Sequence, residues 1–208
     1  MCARICLLAC AEGFFYNLVR HQMMHWSQVT AVVFSVLFGP LAKASESMAH
    51  LATFAGFELG KHSLSEVQAR FGPAQVRHVG DAGDSEYSIC YRHSGGSVRF
   101  ASGELGGPDH QLLAFRLSKQ APPQSCATWP SKVPFTLGLS NIRLGMKRGE
   151  YTQALAHVVT WKGTKGTSVF QSERQIAGTT FDVVVMVEGI FSKAGRLQSV
   201  AVSRTETN

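Results

Sequence analysis

The chain has 208 residues, 45% of them hydrophobic, with 20 Lys plus Arg against 14 Asp plus Glu and a net charge of +6. No basic stripe stands out and no cationic run interleaves with aromatic residues, so the composition gives no support to nucleic-acid binding. A mildly basic surface favours an acidic partner in a general way and excludes little else.

The first feature along the chain is VTAVVFSVLFGPLAKA, Val29 to Ala44. Its apolar stretch, Val29 to Phe38, is about ten residues, against the roughly 20 that a bilayer-spanning helix needs. A polar lead and an Ala-Lys-Ala stop follow the secretory pattern, which predicts a signal peptide over residues 1–44 with cleavage after Ala44. Met1 to Met23 is a long prelude for such a signal, whereas Met24 opens one of ordinary length, so the start is read as over-extended. Leu7-Leu8-Ala9-Cys10 has the look of a lipoprotein cleavage box but lacks a hydrophobic run before it. The expected mature form has no transmembrane segment and is periplasmic or secreted in a bacterium.

Removing residues 1–44 leaves 164 residues with 17 basic and 13 acidic side chains, and two of the five cysteines, Cys90 and Cys126. An even pair in an exported chain predicts a disulfide. Closing this 36-residue separation is worth roughly 3–4 kcal/mol on the loop-entropy estimate.

A first α+β unit is expected over 45–120. Ser63 and Glu66 have the spacing of a capping box, and Leu64, Val67 and Phe71 recur at helical spacing. Gly72 suits a helix stop and Pro73 forbids continuation, so the helix has about two turns and needs a sheet to lie on. Tyr87 to Tyr91 reads as a strand with Tyr87, Ile89 and Tyr91 on one face and Cys90 on the other. Gly95-Gly96 reads as a turn, Ser97 to Ala101 as a second strand, Glu104 to His110 as a loop and Gln111 to Leu117 as a third strand.

A Pro-rich linker is expected over 121–137, pinned to the first unit by Cys126. A second α+β unit follows over 138–208. Arg148 to His157 is its short helix. Val158 to Trp161, Val169 to Ile176 and Thr180 to Val187 read as extended, with Lys162 to Thr167 as a flexible turn. Gly189 to Ser192 and Leu197 to Ser203 then read as a hairpin across Lys193-Ala-Gly-Arg196.

The halves echo each other. Phe57-Glu58-Leu59-Gly60 aligns with Ile142-Arg143-Leu144-Gly145, each just before a short helix, and each half closes on two strands joined by a turn. The run Leu59-Gly60…Ser65-Glu66-Val67…Phe71-Gly72-Pro73 resembles the entry motif of the BamE/SmpA family of small bacterial envelope lipoproteins. The tandem order is similar to the fold of the β-lactamase inhibitor protein. The resemblance implies two degenerate tandem units, each with short helices packed on an antiparallel sheet, and an envelope protein as partner. The second half departs from it, with Ala156-His157 where Phe71-Gly72 would stand.

Chemistry is sparse. The mature histidines His50, His62, His78, His93, His110 and His157 include no pair at metal-binding helical spacing. No Gly-x-Ser-x-Gly elbow occurs, and Lys162-Gly-Thr-Lys-Gly-Thr-Ser168 lacks the order of a phosphate loop. The sequence therefore offers no catalytic, cofactor-binding or metal residues, and no cofactor. Two readings remain. One is an exported non-catalytic module that binds a protein or envelope component, through aromatics such as Tyr91, Phe100, Phe115, Trp129 or Trp161 if one sheet face exposes them. The other is a periplasmic enzyme or small-ligand carrier with a pocket between the halves, lined for instance by His93, Asp109 and His157.

Overall fold

In a computed structural model, the structure describes residues 48–120, 125–132, 138–139 and 141–207. They belong to one compact unit, Glu46–Asn208. The expected signal peptide, its cleavage point, Cys10 and most of the Pro-rich stretch lie outside the described residues. Among the described residues no helix is long and apolar enough to cross a membrane.

Two short strands, β1 (Thr53–Phe54) and β2 (Phe57–Glu58), pair as a small hairpin ahead of helix α1 (Leu64–Phe71). The expected capping box is present. The Ser63 hydroxyl accepts from the Glu66 N–H, while the Glu66 carboxylate accepts from the Ser63 N–H at 2.6 Å. Leu64, Val67 and Phe71 form the buried stripe. Gly72 stops the helix at φ +94°, a region that costs a glycine little, and Pro73 keeps it stopped.

From there the chain runs β3 (Arg77–Val79), β4 (Glu86–His93), β5 (Gly96–Gly103) and β6 (Ala114–Ser118), a four-stranded antiparallel meander. The segment after it carries β7 (Ala127–Thr128), which lies parallel to β4 beside Tyr91 and Arg92. The second half repeats this order. A small hairpin of β8 (Gly138–Leu139) and β9 (Ile142–Arg143) precedes helix α2 (Arg148–Leu155). A second meander follows: β10 (Thr160–Lys162), β11 (Lys165–Ile176), β12 (Thr179–Phe191) and β13 (Leu197–Thr207). The last strands of the two meanders, β6 and β13, pair antiparallel, so both belong to one nine-stranded sheet.

Backbone contacts recur 85 residues further along. Gly60 N–H donates to Leu112 O at 2.7 Å, and Gly145 N–H to Leu197 O at 2.8 Å. Leu112 N–H returns to His62 O and Leu197 N–H to Met146 O, the second acceptor falling one residue short of that offset. The side chains of Gln111 and Arg196 both donate to the carbonyl of the entry glycine. Both glycines have positive φ, +77° and +94°. The β6–β13 register is self-complementary under the same offset. Ser199 faces Ser118, Ser203 faces Ala114, and Arg116 faces Ala201 at the centre.

One face of the sheet packs against the helices. Tyr91, Phe100, Phe115, Val185, Val187, Val200 and Val202 point to this side and form one core with the two helical stripes. The aromatics expected as an exposed partner surface are mostly here. Trp129 lies tilted against Phe71, at 4.2 Å between ring centroids, and meets Tyr91 edge-on. It therefore completes the first half's core, although its place in sequence suggests the second. Trp161, which is 36% exposed, leans over Gly166 at the sheet edge and packs edge-on against Tyr151 and Phe191.

Several boundaries differ from expectation. The third strand starts at Ala114 rather than Gln111, and Leu112 turns its backbone groups to Gly60 and His62 at the entrance to α1. Gly189 does not begin a separate hairpin but continues a 13-residue strand, and a Cβ there would lie 2.9 Å from the Tyr151 ring. The strand β3 was not foreseen; its three residues are all exposed and leave no apolar alternation to read. Lys165 to Thr167 are strand rather than flexible turn. Helix α2 ends at Leu155 because Ala156 adopts the left-handed conformation, φ +48°.

Candidate functional site on the open sheet face

Alternation within each strand puts a second set of side chains on the face away from the helices. Among the described residues no helix covers it. Cys90 points to this face, as its place between Ile89 and Tyr91 requires, and is joined to Cys126 with Cα atoms 4.6 Å apart. The bond fastens the segment carrying β7 to the outer part of the first meander.

The first half of this face is cationic. Arg99 on β5 and Arg116 on β6 are directly opposed, and Cys90 lies on the far side of Arg99. Arg77 on β3 faces Ser88 of β4, one pleat repeat along. The three arginines line a hollow of about 450 Å³, with Ser88, Ser97, Ser118 and Ser125 among its walls. Ser88 and Ser97 are buried at its floor. Arg99 forms an ion pair with Glu86. Burial, and then the charges of Arg116 and Arg77, lower the Arg99 pKa. The expectation that no basic stripe stands out is corrected here. Residues spread over 77, 99 and 116 carry no local signal, and strand register assembles them.

The second half of the face is different. Glu188 stands opposite Ala201 and pairs with Lys165. Met186 and Val169 are cross-strand neighbours and are 39% and 49% exposed. Glu86, Arg99, Arg116, Met186 and Glu188 together line a smaller hollow of about 160 Å³ across the β6–β13 junction.

The residues of the alternative pocket are not brought together. His93 faces Gly96 at one end of the β4–β5 hairpin, while Asp109 lies in the loop beyond Gly103, at the other end. His157 precedes β10 at the far edge of the sheet, where its ring lies on Phe170 and its Nδ1 is 3.1 Å from the Ser168 hydroxyl. Among the described residues no group of three or more His, Cys, Asp or Glu side chains could hold a metal ion. The halves meet through a hydrogen-bonded strand pair rather than a cleft.

No protein-family model and no curated protein matches the chain. Among solved structures, the chain is similar to a Streptococcus mutans protein described as a beta-lactamase inhibitor protein. The identity is 11% and the TM-score 0.27, over 82% of this chain and 98% of the other. Overlap at that level carries no functional conclusion.

Proposed function

We propose that the protein is an exported, non-catalytic binding module of the bacterial envelope, and that a partner protein docks on the open face of its sheet. The observation that carries this reading is the pair Met186 and Val169. Two apolar side chains stand adjacent and exposed on a broad sheet face that no described helix covers. Export is supported by the Val29–Ala44 segment and by the Cys90–Cys126 bond, which belongs to an oxidising compartment. The module is built from two tandem units, 45–120 and 138–208, joined by the 121–137 linker. The entry contacts repeated 85 residues apart and the self-complementary β6–β13 pairing favour this duplication.

A photo-crosslinking residue placed at Met186 or Val169 tests the docking reading in intact cells expressing the full chain. The same residue at Gln153, on the exposed side of α2, is the control. A discrete adduct from the sheet positions alone, to a protein that then binds the purified chain directly, is the expected result. Equal labelling from Gln153, or no adduct from the sheet, would overturn the reading.

A further inference from the structure

We propose that Arg77, Arg99 and Arg116 form a site for a doubly charged phosphate group, seated in the serine-walled hollow on the open face of the first meander. The arrangement asks for an anion. Like charges directly opposed across strands destabilise a sheet, yet Arg99 and Arg116 occupy such positions, with Arg77 on the same hollow. No carboxylate lines this hollow: Glu86, ion-paired with Arg99, and Glu188, ion-paired with Lys165, line the smaller hollow beside it, so Arg77 and Arg116 carry two positive charges with no ion-paired carboxylate among the described residues. Gln75, Gln120 and Ser125, the other polar residues on the walls of the arginine hollow, carry no charge.

The donor set favours phosphate over a carboxylate. A guanidinium is a planar fork of N–H donors with no acceptor, matched to two oxygens of a phosphate. Serine hydroxyls around the same hollow can donate to the remaining oxygens of a tetrahedral group, which a carboxylate lacks. The charge is also local rather than a property of the whole sheet. Eighty-five residues on from Arg116 stands Ala201, and its β12 neighbour is Glu188, where the neighbour of Arg116 is Arg99. The inference does not depend on protein docking, since binding of a small phosphate is read with no partner present.

Calorimetric titration of the purified chain with phenyl phosphate at low salt tests it. One-site binding should tighten as pH rises through the ester's second ionisation, at about pH 6. Arg116→Gln and Arg77→Gln should each weaken it by roughly tenfold, and Arg116→Lys, which keeps the charge but loses the fork, by less. Lys165→Gln, the same charge change on the other half of the face, should leave it within about twofold. Malonate, also a dianion, should bind at least roughly tenfold more weakly, and phosphatidylglycerol vesicles, whose diester carries one charge, should not bind. Equal affinity for malonate, equal loss in Lys165→Gln, vesicle binding that survives Arg116→Gln, or no saturable binding of phenyl phosphate would each overturn the proposal.

Discussion

The phenol of Tyr91 donates a 2.7 Å hydrogen bond to the backbone carbonyl of Gly72. Strand β4 thereby holds the stop of helix α1 in place, and the Tyr91 side chain is fully buried against Phe71 and Trp129 while doing so. Tyr91→Phe removes the donor and leaves that carbonyl without its partner, so a loss of about 1–2 kcal/mol is expected in urea unfolding. Burial also pushes the Tyr91 pKa up to about 12, from an unfolded value of about 10. A raised folded-state pKa gives stability that is fully present below about pH 10 and is lost as pH rises toward about 12. Alkaline unfolding should follow that window, and Tyr91→Phe should flatten its slope.

The second buried tyrosine predicts the opposite outcome. Tyr151 of α2 is fully buried, but its hydroxyl has no hydrogen-bond partner among the described residues. Burial, and then the nearby Glu188 charge, raise its pKa well above the ordinary tyrosine value. Its ring is needed, because it fills the space over Gly189 and packs edge-on against Phe191. Tyr151→Phe keeps the ring and removes an unsatisfied polar group. Urea unfolding near neutral pH should show no loss, or a gain of up to about 1 kcal/mol.

These two residues also mark what the sequence could disclose. The α1 cap was legible because Ser63, Glu66, Gly72 and Pro73 act within a few residues of each other. The outward turn of Cys90 was legible because strand alternation is local. Helix α2 was harder, since Lys147 replaces the capping hydroxyl and only the Glu150 half of the box remains, at 2.8 Å. Gly189 looked like a break because the ring that requires it, Tyr151, lies 38 positions earlier. The arginine hollow depends on the register of four strands, β3 to β6. One signal was available. Arg99 stands between Val98 and Phe100, and Arg116 between Phe115 and Leu117, so each is the outward residue of an apolar triplet.

The Cys90–Cys126 bond closes 36 positions and holds the segment on which Trp129 is mounted. Its loss therefore has two costs, a larger unfolded ensemble and a looser lid over Phe71. Replacing both cysteines by serine should lower stability by roughly 3–4 kcal/mol on the loop-entropy estimate. Trp129 fluorescence should shift red before the sheet unfolds. Intact mass of the purified protein, before and after reduction, should differ by two hydrogens. An unchanged mass with two free thiols would refute the bond in the native chain.

Gly60 and Gly145 occupy matching entry positions, both with positive φ, yet their surroundings differ. A Cβ on Gly60 would overlap the Arg204 guanidinium, whose side chain is only 12% exposed and is paired with Glu206. A Cβ on Gly145 would meet only the end of Lys119, with Nζ at 2.7 Å. Both alanine variants carry the conformational penalty of about 1 kcal/mol for a side chain at positive φ. Gly60→Ala must also displace a largely buried ion pair, whereas Lys119 can swing into solvent. Gly60→Ala should therefore cost more than Gly145→Ala, by about 1 kcal/mol or more in urea unfolding. Adding Arg204→Ala should bring the two costs together, because it removes the overlap and leaves only the shared backbone term. Equal costs for the two single variants would show that Arg204 moves freely and that the entry glycines are required for backbone conformation alone.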